Sequence, residues 1–197
     1  MIHLLRVLQA AEEIQTVCQD RHWLFCFIGG VAVQRWGEPR LTQDADLTIL
    51  TGFGEEDRFI DVLLTSFSGR RPDAREFALS NRVLLLTTKS GVALDVALGG
   101  LPFEERSIQR GSNWEWAENR PLRTCSAEDL IVHKAFAGRD LDWGDTERIL
   151  IRQYGKLDLR QIRTELKPLL ELKGDTEALD RLEKKIEVVD RRLRAKP

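Results

Sequence analysis

Two glycines and three aspartates are the residues of this chain most able to do chemistry together. Gly29 and Gly30 close an apolar run, Asp44-Ala45-Asp46 follows, and Asp95 sits inside a later apolar run. A glycine pair that opens a helix lets backbone amides approach a phosphate closely. Carboxylates brought together repel one another and tend to keep protons, and a hard divalent cation relieves that repulsion. Mg²⁺ takes oxygen ligands, commonly one or two carboxylates plus substrate phosphates. One ion or two at such a site would serve phosphoryl or nucleotidyl transfer. Asp95 could then accept the proton of an attacking hydroxyl. Spacing alone does not carry this reading, because Asp140-Leu141-Asp142 repeats the same pattern.

The elements that would hold these residues can be read from hydrophobic periodicity. Residues 3–20 carry Leu4, Val7, Leu8, Ala11, Ile14 and Cys18 at helical spacing. Trp23 to Ile28 reads as a short buried strand, and Val31 to Trp36 as a short helix stopped by Gly37 and Pro39. From Leu41 to Leu50 the pattern alternates. Asp44, Asp46 and Thr48 share one strand face, and Ala45, Leu47 and Ile49 share the other. Residues 54–67 predict a helix. Arg82–Thr88 and Val92–Leu98 predict a hairpin across Lys89-Ser90-Gly91, with Asp95 on the face of Ala93 and Ala97. Residues 102–123 fit either a loop or a final strand pair. Helices follow at about 126–138, with Ser126 as N-cap, then 143–154, 158–172 and 175–194, and Pro168 should interrupt or kink the third. This order predicts a mixed α/β or α+β part of about 120 residues with a helical part behind it.

Composition narrows the class further. The chain has 197 residues, 42% hydrophobic and 31% charged, with a net charge of −2, as expected of a soluble globular protein. It lacks a run long enough to cross a bilayer and a signal-peptide pattern at Met1-Ile2-His3-Leu4. Cys18, Cys26 and Cys125 have no metal-ligand spacing and read as small buried hydrophobes, so a cytoplasmic location is expected. A basic field over the whole protein is absent, although the stretch from Arg181 to Pro197 holds seven basic and three acidic residues.

The order strand, Gly-Gly, helix, Asp-x-Asp on a strand and a later aspartate resembles the DNA polymerase β-type nucleotidyltransferase superfamily. The local texture is similar to the AbiEii/MenT-like nucleotidyltransferases of toxin–antitoxin systems. Their first motif is matched by Ile28-Gly29-Gly30-Val31-Ala32. Their Arg-x-Thr-x-Asp-x-Asp string is matched by Arg40-Leu41-Thr42-Gln43-Asp44-Ala45-Asp46. Their lysine helix ending in Ala-x-Arg, followed by Asp-x-x-Asp, is matched by His133-Lys134-Ala135-Phe136-Ala137-Gly138-Arg139 and Asp142-Trp143-Gly144-Asp145. The resemblance implies an α+β fold, with a nucleotidyltransferase-type mixed sheet over residues 1–122 and a small helical bundle over 123–197. It implies Mg²⁺ on Asp44, Asp46 and Asp95, and an NTP as substrate. Gly29, Gly30, Arg40, Thr42, Lys134 and Asp145 would serve the nucleotide. The implied acceptor is a tRNA 3′ end, and a cognate antitoxin is the implied partner.

Plainer readings stand beside these. Asp44, Asp46 and Asp95 could be solvated acids on strand faces. Lys134 could be the polar border of an amphipathic helix, and His133 a surface or supporting residue. Asp142 and Asp145 could pair with Arg139 and Arg148 on a helix surface. Trp114 and Trp116 could stack a base or pack in the core. The last helix, with Leu179, Leu182, Ile186, Val189 and Leu193, could pack on its neighbours or offer an interface. An antibiotic-type small-molecule nucleotidyltransferase, and a non-catalytic nucleotide- or partner-binding module, are the alternative functions.

Overall fold

The computed structural model describes residues 2–195. The first residue of the N-terminal run, Met1, and the end of the basic tail, Lys196 and Pro197, lie outside them. Contacts divide the chain into two units. One holds the chain through Val31 together with Leu41–Cys125, and the other holds Ala32–Arg40 and the chain from Ser126 onward.

The first unit is built on a seven-stranded mixed sheet. Its elements are α1 (Ile2–Asp20), β1 (Phe25–Phe27), the start of α2 (Gly29–Trp36), β2 (Asp44–Leu50), α3 (Glu56–Ser66), β3 (Ser68–Gly69), α4 (Ala74–Asn81), β4 (Val83–Thr87), β5 (Ala93–Gly99), α5 (Pro102–Arg110), β6 (Ser112–Ala117) and β7 (Arg120–Thr124). The strand order is β3-β4-β5-β2-β1-β7-β6. Strand β2 pairs parallel with β5 and antiparallel with β1. The hairpin expected over residues 82–98 is β4–β5. Residues 102–123 resolve into a helix and a strand pair. Pro102 starts α5, where its missing N–H costs nothing, and Glu104 accepts from the amides of Gly100 and Leu101. The segment 68–81, unassigned by its pattern, supplies β3 and α4.

Alternation along the strands decides which face is core. Ala45, Leu47, Ile49, Leu84, Leu86, Leu94, Val96 and Leu98 are buried. They share one cluster with Val7, Ala11 and Ile14 of α1, Phe59, Ile60 and Leu63 of α3, and Ala74 and Ala78 of α4. Removing these apolar side chains from water is the main favourable contribution to the unit. The opposite face carries Asp44, Asp46 and Asp95, each partly exposed.

The second unit is helical from Ser126 onward: α6 (Ala127–Ala137), α7 (Asp140–Arg152), α8 (Leu159–Lys173) and α9 (Ala178–Arg194). Ser126 caps α6 by accepting from the Asp129 amide, and Gly138 ends it in the left-handed region at φ 73°. Asp158 caps α8 through the amides of Arg160 and Gln161. Pro168 lies inside α8 without interrupting it. The buried faces of α8 and α9, Ile162, Leu166, Leu169 and Leu170 with Leu182 and Val189, supply the packing that lets the helix run through. No helix among the described residues is long and apolar enough to cross a membrane.

Candidate functional site

Strand register brings the three acids together. Asp46 on β2 stands directly opposite Asp95 on β5, and Asp44 lies two residues back on the same face. One oxygen from each of Asp44, Asp46 and Asp95 lies within 4.8 Å of the other two. Three partly exposed oxygen donors at that separation suit a hard cation such as Mg²⁺. The second Asp-x-Asp pair shows why context matters. Asp140 and Asp142 sit in the first turn of a helix, where residues two apart point to different sides. Asp140 is 98% exposed, whereas Asp142 is fully buried.

Burial raises the Asp95 carboxyl above its ordinary pKa, the nearby Arg70 opposes that shift, and the Asp44 charge adds to it. Arg70 donates from its guanidinium to Asp95 Oδ1. It is a site neighbour that pattern reading misses, because its place depends on a two-residue strand with no periodicity of its own. Its backbone amide donates to Leu85 O at 3.0 Å, and Leu85 is the register partner of Asp95.

The glycine pair starts α2, and the space beside both glycines is filled by this chain's own side chains. A Cβ on Gly29 would run into the Asp46 carboxylate, and one on Gly30 into the Thr42 hydroxyl. Gly29 also has φ +53°, a conformation that side-chain-bearing residues seldom adopt. The Gly30 amide points to Asp46 Oδ2 at 3.4 Å. Thr42 is buried, with its hydroxyl 3.3 Å from Asp44 Oδ1. The glycines thus seat Asp46 against the opening of a helix, where exposed amides and the dipole favour negative charge.

The second unit holds Arg40, Lys134 and Asp145 in one ionic network. Arg40 forks onto Asp145, Nε to Oδ1 at 2.8 Å and Nη2 to Oδ2 at 2.7 Å. Lys134 Nζ lies 2.9 Å from Asp142 Oδ1 and 3.0 Å from Asp145 Oδ2. Arg139 Nε reaches Asp142 Oδ2 at 2.6 Å. Asp142 and Asp145 are fully buried and Lys134 is 5% exposed, so the centre of this network is interior, with the Arg139 side chain at its exposed rim. Burial opposes the charge on both aspartates. Hydrogen bonds from Arg139 and Lys134 to Asp142, and from Arg40 and Lys134 to Asp145, outweigh it and hold both carboxyls below the usual range. Beside Lys134, burial lowers His133 to about 4, against a partial counter-effect from Asp129, so its imidazole is neutral near pH 7.

The remaining candidates are accounted for by packing. Trp114 and Trp116 pack against the sheet core, and the Trp116 indole donates to Glu12 at 3.1 Å beneath Arg120. Cys18, Cys26 and Cys125 are buried thiols, and burial pushes Cys18 up to about 12, which makes it inert at neutral pH.

Among solved structures, an antigenic nucleotidyltransferase-like protein from Paracoccidioides brasiliensis matches over 91% of this chain and 91% of its own, at 16% identity and a TM-score of 0.50. The fold is of the nucleotidyltransferase type. The antibiotic-resistance factor ANT(2'')-Ia in solution aligns at 16% identity and a TM-score of 0.46, covering 95% of this chain and 93% of that one. The same factor in complex with adenylyl-2''-tobramycin aligns at 16% identity and a TM-score of 0.43, covering 96% and 97%. No family model and no curated protein matches the chain.

Proposed function

We propose that this chain is a Mg²⁺-dependent nucleotidyltransferase that moves a nucleoside monophosphate from an NTP to an acceptor hydroxyl, releasing pyrophosphate. The convergence of Asp44, Asp46 and Asp95 on one sheet face carries the proposal. Asp44 and Asp46 would hold the cation, and Asp95 would complete the set and take the acceptor proton. The bound cation would supply charge neutralisation at the triphosphate and activation of the attacking oxygen. Gly29 and Gly30 would present the first amides of α2 to phosphate. Thr42 steadies Asp44 through its hydroxyl. Arg40, Lys134 and Asp145 belong to the nucleotide set by motif resemblance. For Lys134 to meet phosphate it would exchange Asp142 or Asp145 for phosphate oxygens, because it is paired with both.

The acceptor in this reading is a tRNA 3′ hydroxyl, and the chain is a toxin of the AbiEii/MenT-like kind with a cognate antitoxin. The exposed cations Arg181, Lys184, Arg191 and Arg192 along α9 favour a polyanionic acceptor. The net charge of −2 favours the second reading, a small-molecule acceptor of the antibiotic type.

Incubation with Mg²⁺, each α-labelled NTP, and either bulk tRNA or an aminoglycoside panel separates these. Label on tRNA is the expected result, and label on the aminoglycosides would select the second reading. Transfer to neither, with no calorimetric binding of Mg²⁺–NTP, would leave a partner-binding module. The double substitution Asp44→Asn with Asp46→Asn should abolish transfer by at least about a thousandfold, given the role of charge neutralisation, with melting unchanged or raised. Retained transfer would refute the metal assignment.

A further inference from the structure

We infer that Arg70 is an internal counter-ion of the carboxylate cluster, a positioning residue that holds Asp95 and yields it to the divalent cation. The inference rests on the metal-binding reading of Asp44, Asp46 and Asp95. Four chain segments place one row of residues across the sheet. Asp46 pairs with Asp95, Asp95 with Leu85, and the Arg70 amide reaches the Leu85 carbonyl. Residues opposite one another in register share a face. The Arg70 side chain therefore starts on the acidic face and reaches across Leu85 to Asp95 Oδ1, where the ion pair forms.

Charge balance gives the arginine its task. Three carboxylates within 4.8 Å of one another are mutually repulsive, and a single guanidinium offsets part of that repulsion. A divalent cation offsets more of it, so cation and guanidinium compete for the same Asp95 oxygens. Both ends of the pair are only about a third exposed, 32% for Arg70 and 31% for Asp95. That leaves the guanidinium free to swing toward solvent on its flexible stem. The short strand β3, next to β4 at the sheet edge, carries it there without another strand beyond it. The released arginine then stands on the Asp95 side of the cluster, beside the carboxylate that would meet the acceptor hydroxyl.

The test measures metal binding rather than turnover. Wild-type chain, Arg70→Met, Arg70→Lys, Asp95→Asn and Arg70→Met with Asp95→Asn are titrated with Mn²⁺ by calorimetry and electron paramagnetic resonance, without nucleotide. A partly exposed ion pair is worth under about 1 kcal/mol, so Arg70→Met should tighten Mn²⁺ binding by roughly two- to fivefold. Arg70→Lys should stay near wild type. The effect of Arg70→Met should vanish in the Asp95→Asn background if the arginine acts through that carboxylate. Unchanged or weaker Mn²⁺ binding by Arg70→Met, with wild-type melting, would overturn the counter-ion role alone. Absence of Mn²⁺ binding by the wild-type chain would overturn the metal reading and this inference with it.

Discussion

Gly29 shows how much a single hydrogen atom decides in this site. A methyl group there meets the Asp46 carboxylate, whereas a methyl at Gly91, also at positive φ, meets nothing within 4 Å. Both Gly29→Ala and Gly91→Ala should lose about 1–2 kcal/mol to the left-handed backbone. Only Gly29→Ala should also displace Asp46, so only it should weaken Mn²⁺ binding, by about tenfold or more, in the same calorimetric titration. Equal Mn²⁺ affinities in the two variants would show that the glycine does not seat the carboxylate. His133 carries a second prediction at this scale. The unfolded chain takes up that proton near pH 6.5 and the folded chain near pH 4. Between those values the unfolded state binds more protons, so folding stability falls as pH is lowered, by about 1.4 kcal/mol per unit. Urea denaturation at pH 7 and pH 5 should therefore show about 2 kcal/mol more acid loss in wild type than in His133→Leu. The lowered carboxyls of Asp142 and Asp145 act outside this window, because their contribution survives until the pH falls below the ordinary carboxylate range.

At the scale of elements, identical sequence patterns acquire different meanings from the backbone beneath them. Asp44 and Asp46 point together because β2 has a period of two, and Asp140 and Asp142 diverge because α7 does not. Substituting a buried carboxylate of the ionic network should be costly. Asp145→Ala removes the carboxylate that Arg40 forks onto and one of the two that hold buried Lys134, which keeps Asp142. It should destabilise by about 3 kcal/mol, whereas the exposed Asp140→Ala should stay within about 0.5 kcal/mol. Chemical denaturation of the two variants side by side measures the contrast, and comparable losses would sink it. The alternating strands, the α6 cap at Ser126 and the hairpin at Lys89-Ser90-Gly91 were legible because each is a local rule. Three things were not. Arg70 reaches the site through a two-residue strand, which is too short to show a pattern. The depth of Asp142 and Asp145 depends on which side of α7 is covered, and charge alone pointed to the surface. Pro168 sits in an unbroken helix because tertiary packing overrides a local penalty.

For the whole molecule, the helical unit is discontinuous in sequence. Ala32–Arg40 belongs to it with the chain from Ser126, and within it Arg40 pairs with Asp145, while Gln153 donates to Trp36 O at 2.9 Å. A fragment of residues 126–197 should therefore show clearly less helical circular dichroism than those residues contribute in the intact chain. Addition of a peptide spanning residues 32–40 should restore part of it, and full helicity of the bare fragment would contradict the assignment of that segment. The parallel pairing of β2 with β5 has a different consequence, one of timing. Asp44 and Asp46 leave the ribosome long before Asp95, and α3, β3, α4 and β4 are all synthesised in between. A nascent chain released before Ala93 has two of the three acids and no β5 to set them against. Any nucleotide transfer by this site must therefore be post-pairing chemistry, absent from every premature termination product that stops short of β5.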